Sequence, residues 1–401
     1  MKNKVKIAFI STFWSRMGGA ELTANLLKRE LENFGFEIKV LTTEFNNFDD
    51  SIIPIGFKIP IPDEFFFLGN RLLDKMLEKK IQEGLKKYNF LPDIIHVQQY
   101  FSLPASANVA KRLNIPLLVT IRVPLPTYLH HPYNFLIKFI GTQLIKGRNN
   151  LWINVLKEKC DHIIAVSNFI KNRLVKLGII ENKIDTIYEF HTKFDNTAFP
   201  LKKIENSIKN NKIIIYCPCR LQESKGIHIL IKALKKIVTI DKNIILVITG
   251  EGPYEKNLKN LCKNLKLEKY VKFLGLVPFK IVEKLYLSSD IICMPSIWPE
   301  PLSRVVFEAM FYGKPIIISN VGGMPEAVKD NVTGLIVEPN NPEDLATALK
   351  NLIKNKKLRE SMGKAAKNYA VQDFNVKRTV EEHVRIYQKL LEKRIRITNL
   401  K

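Results

Sequence analysis

The sequence predicts an α/β protein made of two parallel-sheet halves, and three observations carry that expectation. Short apolar runs alternate with segments of helical spacing along the whole chain, the pattern of strands covered on both faces by crossover helices. The chain has 401 residues, more than one ordinary domain and enough for two of about 200 residues each. A polar stretch without clean periodicity, residues 200–211, separates the two runs and reads as a linker.

Taken in order, residues 5–10 form a first strand and lead into a loop holding Gly18-Gly19. Leu22, Leu26, Leu27 and Leu31 then repeat at helical spacing, so 20–34 is a helix that stops before Gly35. Residues 37–42, 93–97 and 117–121 are further strands, the last two separated by a helix over 102–113. Residues 163–166 are another strand, after which Ser167 caps a helix over 168–177 that closes at Gly178. The second half repeats the alternation, with strands at 213–217, 244–249, 271–274, 291–294, 315–319 and 334–337 and a helix over 226–238. A long helix with a basic tail begins near Val376 and runs to about Leu391. The expected domains are therefore 1–199 and 200–375, with 376–401 packing back toward the N-terminal one. Two such halves predict a cleft, with ligands at the carboxyl ends of the strands.

Composition narrows the class. With 46% hydrophobic and 25% charged residues, and no low-complexity tract, the chain is neither collagen-like nor disordered. Five scattered cysteines form no disulfide framework, and Cys217-Pro218-Cys219 has a poor zinc spacing, so a reducing compartment without structural metal is expected. Lys+Arg 63 against Asp+Glu 39 gives +24, which suits nucleic acid, an anionic membrane surface or a phosphorylated ligand. The same excess fits a solvated lysine surface, because Lys, Ile and Asn are all abundant. The charge is spread rather than blocked, and no recognition helix or aromatic-basic strand motif accompanies it, which argues against nucleic acid. Apolar runs are far shorter than the roughly 20 residues needed to span a bilayer. The N-terminal Met-Lys-Asn-Lys followed by an apolar run lacks a small-residue cleavage site, and a first buried strand explains it better than a secretion signal.

Three stretches carry chemistry. In Pro295-Ser-Ile-Trp-Pro-Glu-Pro-Leu-Ser-Arg-Val-Val-Phe-Glu308, seven residues separate Glu300 from Glu308. Pro301 and Ser303 mark a loop ending and a helix beginning, with Glu300 on the loop and Glu308 about one turn in, on the face of Arg304. A helix start offers free N–H donors and partial positive charge to a diphosphate. The inner carboxylate can accept from a ribose diol, the outer one can reach a sugar, and Trp298 could wall the site. Taken alone, the two acids could also be ordinary residues near a helix start. In Cys219-Arg220-Leu-Gln-Glu-Ser-Lys225-Gly226, Arg220 ends a strand and Lys225 opens a helix, placing two cations where a pyrophosphate would sit. Met17-Gly18-Gly19-Ala20-Glu21 follows the first strand, where glycines admit a ligand close to backbone. No GxGxxG occurs there, which argues against a nicotinamide enzyme.

In this order and spacing, these stretches resemble the retaining glycosyltransferase family 4, which has the GT-B architecture of two Rossmann-like domains. Pro92-Asp-Ile-Ile-His96, Ala165-Val-Ser167-Asn-Phe, Gly250-Glu-Gly252-Pro, Phe273-Leu-Gly275 and Gly322-Gly323-Met-Pro-Glu326 extend the resemblance over about residues 5–390. The resemblance implies that Arg220 and Lys225 clamp a pyrophosphate, Glu308 binds ribose and Glu300 faces the transferred sugar. It implies that Gly18 and Gly19 close on the donor phosphate, that backbone near Leu302, Ser303, Arg304 and Val305 completes the phosphate cradle, and that Gly252 and residues around Leu276 approach the donor and its base. The N-terminal half would then take the acceptor and the C-terminal half the donor.

Departures from the family pattern stand beside it. Arg122-Val123 replaces a frequent His-Asp, so Arg122 faces phosphate or acceptor, or lies on the surface. Ser303 stands where glycine is frequent. After Ile187-Tyr188, Glu-Phe-His replaces a frequent Asn-Gly turn, so the crossing between halves differs locally. His96 either lines the cleft or is a buried, hydrogen-bonded histidine. His130-His131 and Asp49-Asp50 lack the context of a metal site, so the expected reaction uses no metal and no cofactor beyond its nucleotide-sugar co-substrate. The expected activity is transfer of a sugar from a UDP- or GDP-linked donor to a hydroxyl acceptor with retention. A sugar-nucleotide epimerase, a phosphorylase and a basic nucleic-acid-binding protein are the alternatives. Aromatic, apolar and basic residues in 65–73 and 124–152 suggest a lipid-linked or cell-surface glycan acceptor, or are ordinary core with a lysine surface. They fit a cytoplasmic enzyme touching an anionic membrane.

Overall fold

A computed structural model describes residues 4–14, 19–44, 50–56, 71–124, 135–191 and 212–399. The expected linker, Gly18, His130-His131, and residues 65–70 and 125–134 lie outside them. The described chain divides into two compact units, one formed by residues up to Tyr188 together with Val376 onward, the other by Glu189–Asn375.

In the first unit, β1 (Lys6–Phe13), β2 (Glu37–Glu44), β3 (Ile52–Pro54), β4 (Ile94–Val97), β5 (Leu117–Ile121), β6 (His162–Ala165) and β7 (Ile184–Thr186) form a sheet ordered β3-β2-β1-β4-β5-β6-β7. The pairings are parallel, with Ile7 opposite both Ile38 and Ile94. Alternation along β1 feeds two cores, because successive side chains of a strand point to opposite faces. Ala8 and Ile10 join Leu77 and Ile81 of α2 (Arg71–Lys87), Leu103 of α3 (Leu103–Leu113) and Trp152 of α4 (Phe135–Glu158). Ile7 and Phe9 join Leu27 and Leu31 of α1 (Gly19–Asn33) and Val384 and Tyr387 of the terminal helix. Gly35 ends α1 at φ +102, and the Ser167 hydroxyl accepts from the Ile170 N–H at 3.3 Å to start α5 (Asn168–Lys176).

In the second unit, β8 (Ile213–Pro218), β9 (Ile244–Thr249), β10 (Val271–Phe273), β11 (Ile291–Met294), β12 (Ile316–Ser319) and β13 (Gly334–Val337) are ordered β10-β9-β8-β11-β12-β13, again parallel. The helices α6 (Ile227–Val238), α7 (Glu255–Asn264), α8 (Phe279–Ser288), α9 (Arg304–Phe311), α10 (Pro342–Lys354) and α11 (Lys356–Asp373) cover it. Ile215, Cys217, Leu246 and Ile248 pack against Leu230 and Leu234 of α6 and Leu345 and Leu349 of α10. The last helix, α12 (Val376–Asn399), belongs to the first unit and runs past the expected end near Leu391.

One local device sets register in both sheets. An Asp immediately before a strand accepts from a backbone N–H near the start of its neighbour. Asp93 bonds Lys6 at 2.8 Å, Asp161 bonds Leu117 at 3.0 Å and Asp290 bonds Ile214 at 2.9 Å. Each satisfies a strand-end donor that pairing would otherwise leave open.

Candidate functional site

Strand order reverses between β8 and β11, so their carboxyl ends splay and leave a crevice, the place where open parallel sheets bind ligands. The loops leaving these two strands are laced together. Ile297 N–H donates to the Ser224 carbonyl at 2.9 Å, and Gly226 opens α6 at φ +67. A Cβ there would stand 1.8 Å from the Pro295 carbonyl oxygen, so only glycine allows both the left-handed turn and the close approach. Gly322, at φ +60, presses on Glu300 in the same way, and Gly323 N–H donates to the Glu300 carbonyl at 2.7 Å.

This lacing brings Lys225 and Glu300 together across the switch point. Lys225 Nζ lies 2.5 Å from Glu300 Oε1, and the Ser296 hydroxyl donates to the same oxygen at 2.7 Å. The Glu300 side chain is only 8% exposed, so the pair sits where charge is weakly screened. Arg220 lies at the mouth of the same loop and is exposed; among the described residues it has no ion-pair partner. Gly250, at φ +114, and Gly252 lie against the Cys219 and Leu221 carbonyls, packing the loop after β9 onto the Arg220 segment. Leu276 is 62% exposed, and its N–H donates to Glu251 Oε1 at 3.4 Å.

Glu308 forms a second centre one turn into α9. Ser303 is the N-cap in extended conformation, buried, and makes no side-chain cap bond. Leu302 is buried beside it, and Val305 is half-buried in the first turn. The first N–H groups of α9 therefore point out of the helix without intrahelical partners. Arg304 Nη2 donates to Glu308 Oε1 at 3.1 Å and to His191 Nδ1 at 3.3 Å. The Tyr286 hydroxyl donates to Glu308 Oε2 at 2.7 Å. Burial, reinforced by the Glu308 charge, pushes the Tyr286 phenol well up, so it stays a donor. Tyr312 stacks on Tyr286 at 5.3 Å, and Tyr216 meets its edge at 5.2 Å. Burial pulls His191 down to about 4, with Arg304 acting the same way and Glu308 opposing.

Both centres combine an acid, a cation and a neutral hydroxyl, the first on loops and the second on α8 and α9. A carboxylate has about four lone-pair sites, so each keeps capacity for hydroxyls of a ligand. Sequence reasoning named the two acids and the three cations Arg220, Lys225 and Arg304. It did not find Tyr286, Ser296 or His191. Ser296 lies inside the motif itself, four residues before its partner. Tyr286 and His191 lie 22 residues from Glu308 and 113 from Arg304, with no local signal.

In the first unit, Gly19 begins α1. His96 is not a cleft residue. It is fully buried, with the Tyr387 hydroxyl 2.8 Å from Nδ1 and the Thr120 hydroxyl 2.7 Å from Nε2. Two hydrogen-bonded ring nitrogens inside a closed core leave it nothing to offer a ligand. Arg122 is not a surface residue either. It is buried and donates to Gln98 Oε1 at 2.8 Å. Among the described residues no group of His, Cys, Asp and Glu is arranged to hold a metal ion, and no helix is long and apolar enough to cross a membrane.

Comparison with known proteins extends these observations. Residues 17–190 match the family model for glycosyltransferase family 4, and residues 199–369 match that for glycosyl transferases group 1. An uncharacterized glycosyltransferase of Methanocaldococcus jannaschii is 27% identical over 94% of this chain and 95% of its own length. The N-acetyl-alpha-D-glucosaminyl L-malate synthase of Bacillus anthracis is 27% identical over 97% of this chain and 98% of its own. Among solved structures, Anabaena HepE in complex with UDP-glucose superposes with a TM-score of 0.71 at 22% identity, covering 96% of this chain and 99% of that one. With two parallel-sheet units, matching models over both of them and full-length relatives, the chain belongs to glycosyltransferase family 4 and is a glycosyltransferase of the GT-B fold.

Proposed function

We propose that this glycosyltransferase takes its sugar from a nucleoside diphosphate donor and passes it, with retention of anomeric configuration, to a hydroxyl of a lipid-linked or cell-surface glycan. One observation carries the reading: Lys225 and Glu300 meet across the switch point of the second sheet, with the start of α9 beside them. The UDP-glucose bound to Anabaena HepE, a protein of the same fold, supports a nucleotide-sugar donor.

In this mechanism Arg220, Lys225 and the first N–H groups of α9 offset the charge that develops on the leaving diphosphate. Preorganised donors of this kind are worth about 10²–10³ in rate each. They take the place a divalent cation would otherwise fill, so the reaction proposed needs no metal. Lys225 moves from Glu300 to the diphosphate as the donor enters, which frees Glu300 to hold the hydroxyls of the sugar. Glu308 receives the ribose diol on the lone pairs that Arg304 and Tyr286 leave open. Gly252 and Leu276 lie toward the base. The leaving phosphate acts as base for the acceptor on the same face of the sugar.

The spread of +24 and the basic, aromatic composition of 124–152 favour a cytoplasmic enzyme resting on an anionic leaflet. The test is a screen of UDP- and GDP-sugars for slow hydrolysis by nucleotide release, with flotation on anionic liposomes. Donor turnover that survives both Glu308→Ala and Lys225→Ala unchanged sinks the site, and absence of lipid binding sinks the membrane part.

A further inference from the structure

We infer that His191 is a positioning residue for the Glu308 carboxylate, holding the Arg304 guanidinium that in turn sets the carboxylate for the ribose hydroxyls. The inference rests on the donor-site reading of Glu308. Arg304 alone is a weak clamp. One contact to Glu308 leaves the long, rotamer-rich Arg304 side chain other positions to occupy. A second anchor removes that freedom. Nη2 has two N–H groups, one directed to Glu308 Oε1 at 3.1 Å and one to His191 Nδ1 at 3.3 Å.

The anchor is itself held. The His191 ring meets the edge of Phe311 at 4.9 Å and lies 5.7 Å from Tyr312, both at the far end of α9. Arg only donates, so Nδ1 must accept and Nε2 carries the ring proton. Burial and the neighbouring guanidinium keep the ring neutral, so the acceptor persists through the neutral pH range. His191 thus fastens the beginning of the second unit to the helix bearing Glu308. Tyr286 fixes the other carboxylate oxygen at 2.7 Å, so the group is held from both sides before any ligand arrives.

Binding of UDP and GDP by calorimetry, with KM and kcat for hydrolysis of the corresponding sugar nucleotides, tests this. His191→Phe keeps the aromatic packing and removes the acceptor. It is expected to weaken nucleotide binding about tenfold and to raise KM more than it lowers kcat. His191→Gln, which retains an acceptor, should recover most of that loss. Combining His191→Phe with Arg304→Met should cost no more than Arg304→Met alone, because both break one chain of contacts. Native affinity in His191→Phe, or additive losses in the double variant, overturns the inference, provided Glu308→Gln is weakened. If Glu308→Gln binds nucleotide as the native chain does, the donor-site reading fails instead. Should His191→Phe not fold, Arg304→Met decides: a tenfold loss supports the inference and unchanged affinity overturns it.

Discussion

Both sheets reverse strand order beside a central strand, between β1 and β4 in one unit and between β8 and β11 in the other. What stands at the two switch points differs. In the second unit the loops leaving β8 and β11 and the helix α9 that follows carry opposite charges, Lys225 with Glu300 and Arg304 with Glu308, each close enough to pair. In the first unit the ends of β4 and β5 carry His96, Gln98, Thr120 and Arg122, all buried, with His383 and Tyr387 of α12 against them. Burial, the nearby histidine and Arg122 pull His96 well down, so the histidine core is neutral. Two sheets of one topology thus keep their switch points for different chemistry. Topology supplies the crevice, and the loop residues decide whether charge can be held there.

The largest expected effect is at the charged switch point. Lys225→Ala should lower nucleotide release at least about 100-fold, the size expected for losing one charge-stabilising donor, in a chain that still folds but melts lower because buried Glu300 loses its counter-ion. A fall below tenfold would erase the contrast drawn between the two units. Glu308→Gln should weaken UDP or GDP binding by about 10- to 100-fold, since hydrogen bonds to a charged group are worth about 1.5–3 kcal/mol. Titration calorimetry reads it directly.

At the first unit's switch point the readout reverses. Tyr387→Phe strips one partner from buried His96 and should cost about 1–3 kcal/mol of stability in denaturant melts, leaving nucleotide affinity as it was. A loss of affinity there would mean that the first unit's buried cluster belongs to the donor site. The last effect is the pH dependence, small per step of pH and read as a slope. His383 in the first unit and His191 in the second both fall to about 4 on burial. Their ordinary value is 6.5, so between roughly 6.5 and 4 the unfolded chain holds protons that the folded one does not. Stability must then rise with pH across that window and fall as pH drops, by about 1.4 kcal/mol per unit for each histidine. His191→Phe should remove the His191 share of that slope alone.

Much of the architecture was legible in the sequence because parallel strands are locally written. Apolar runs such as 244–249 and 291–294, with Gly35, Ser167 and Gly178 punctuating the helices, mark elements without any knowledge of neighbours. Glu300, Glu308 and Arg304 were legible for the same reason, since loop, cap and one helical turn set their spacing. Helices α2, α4, α7, α8, α10 and α11 and the short strands β3 and β7 were not read as elements, and α12 ran further than its periodicity suggested. The placement of Arg122 and His96 could not be read either, because burial at a strand end depends on what a distant helix lays over it.

Local spacing alone determined that this chain makes two parallel sheets and puts acids and cations on the loops that leave one of them. Only the tertiary structure decided that Lys225 faces Glu300, that Tyr286 and His191 grip the surroundings of Glu308, and that α12 seals His96 into the first unit. The physical reason is range. Backbone preferences and side-chain periodicity act over one or two turns of chain, whereas hydrogen bonds and charge pairs act over a few ångströms of space, whatever the separation along the sequence.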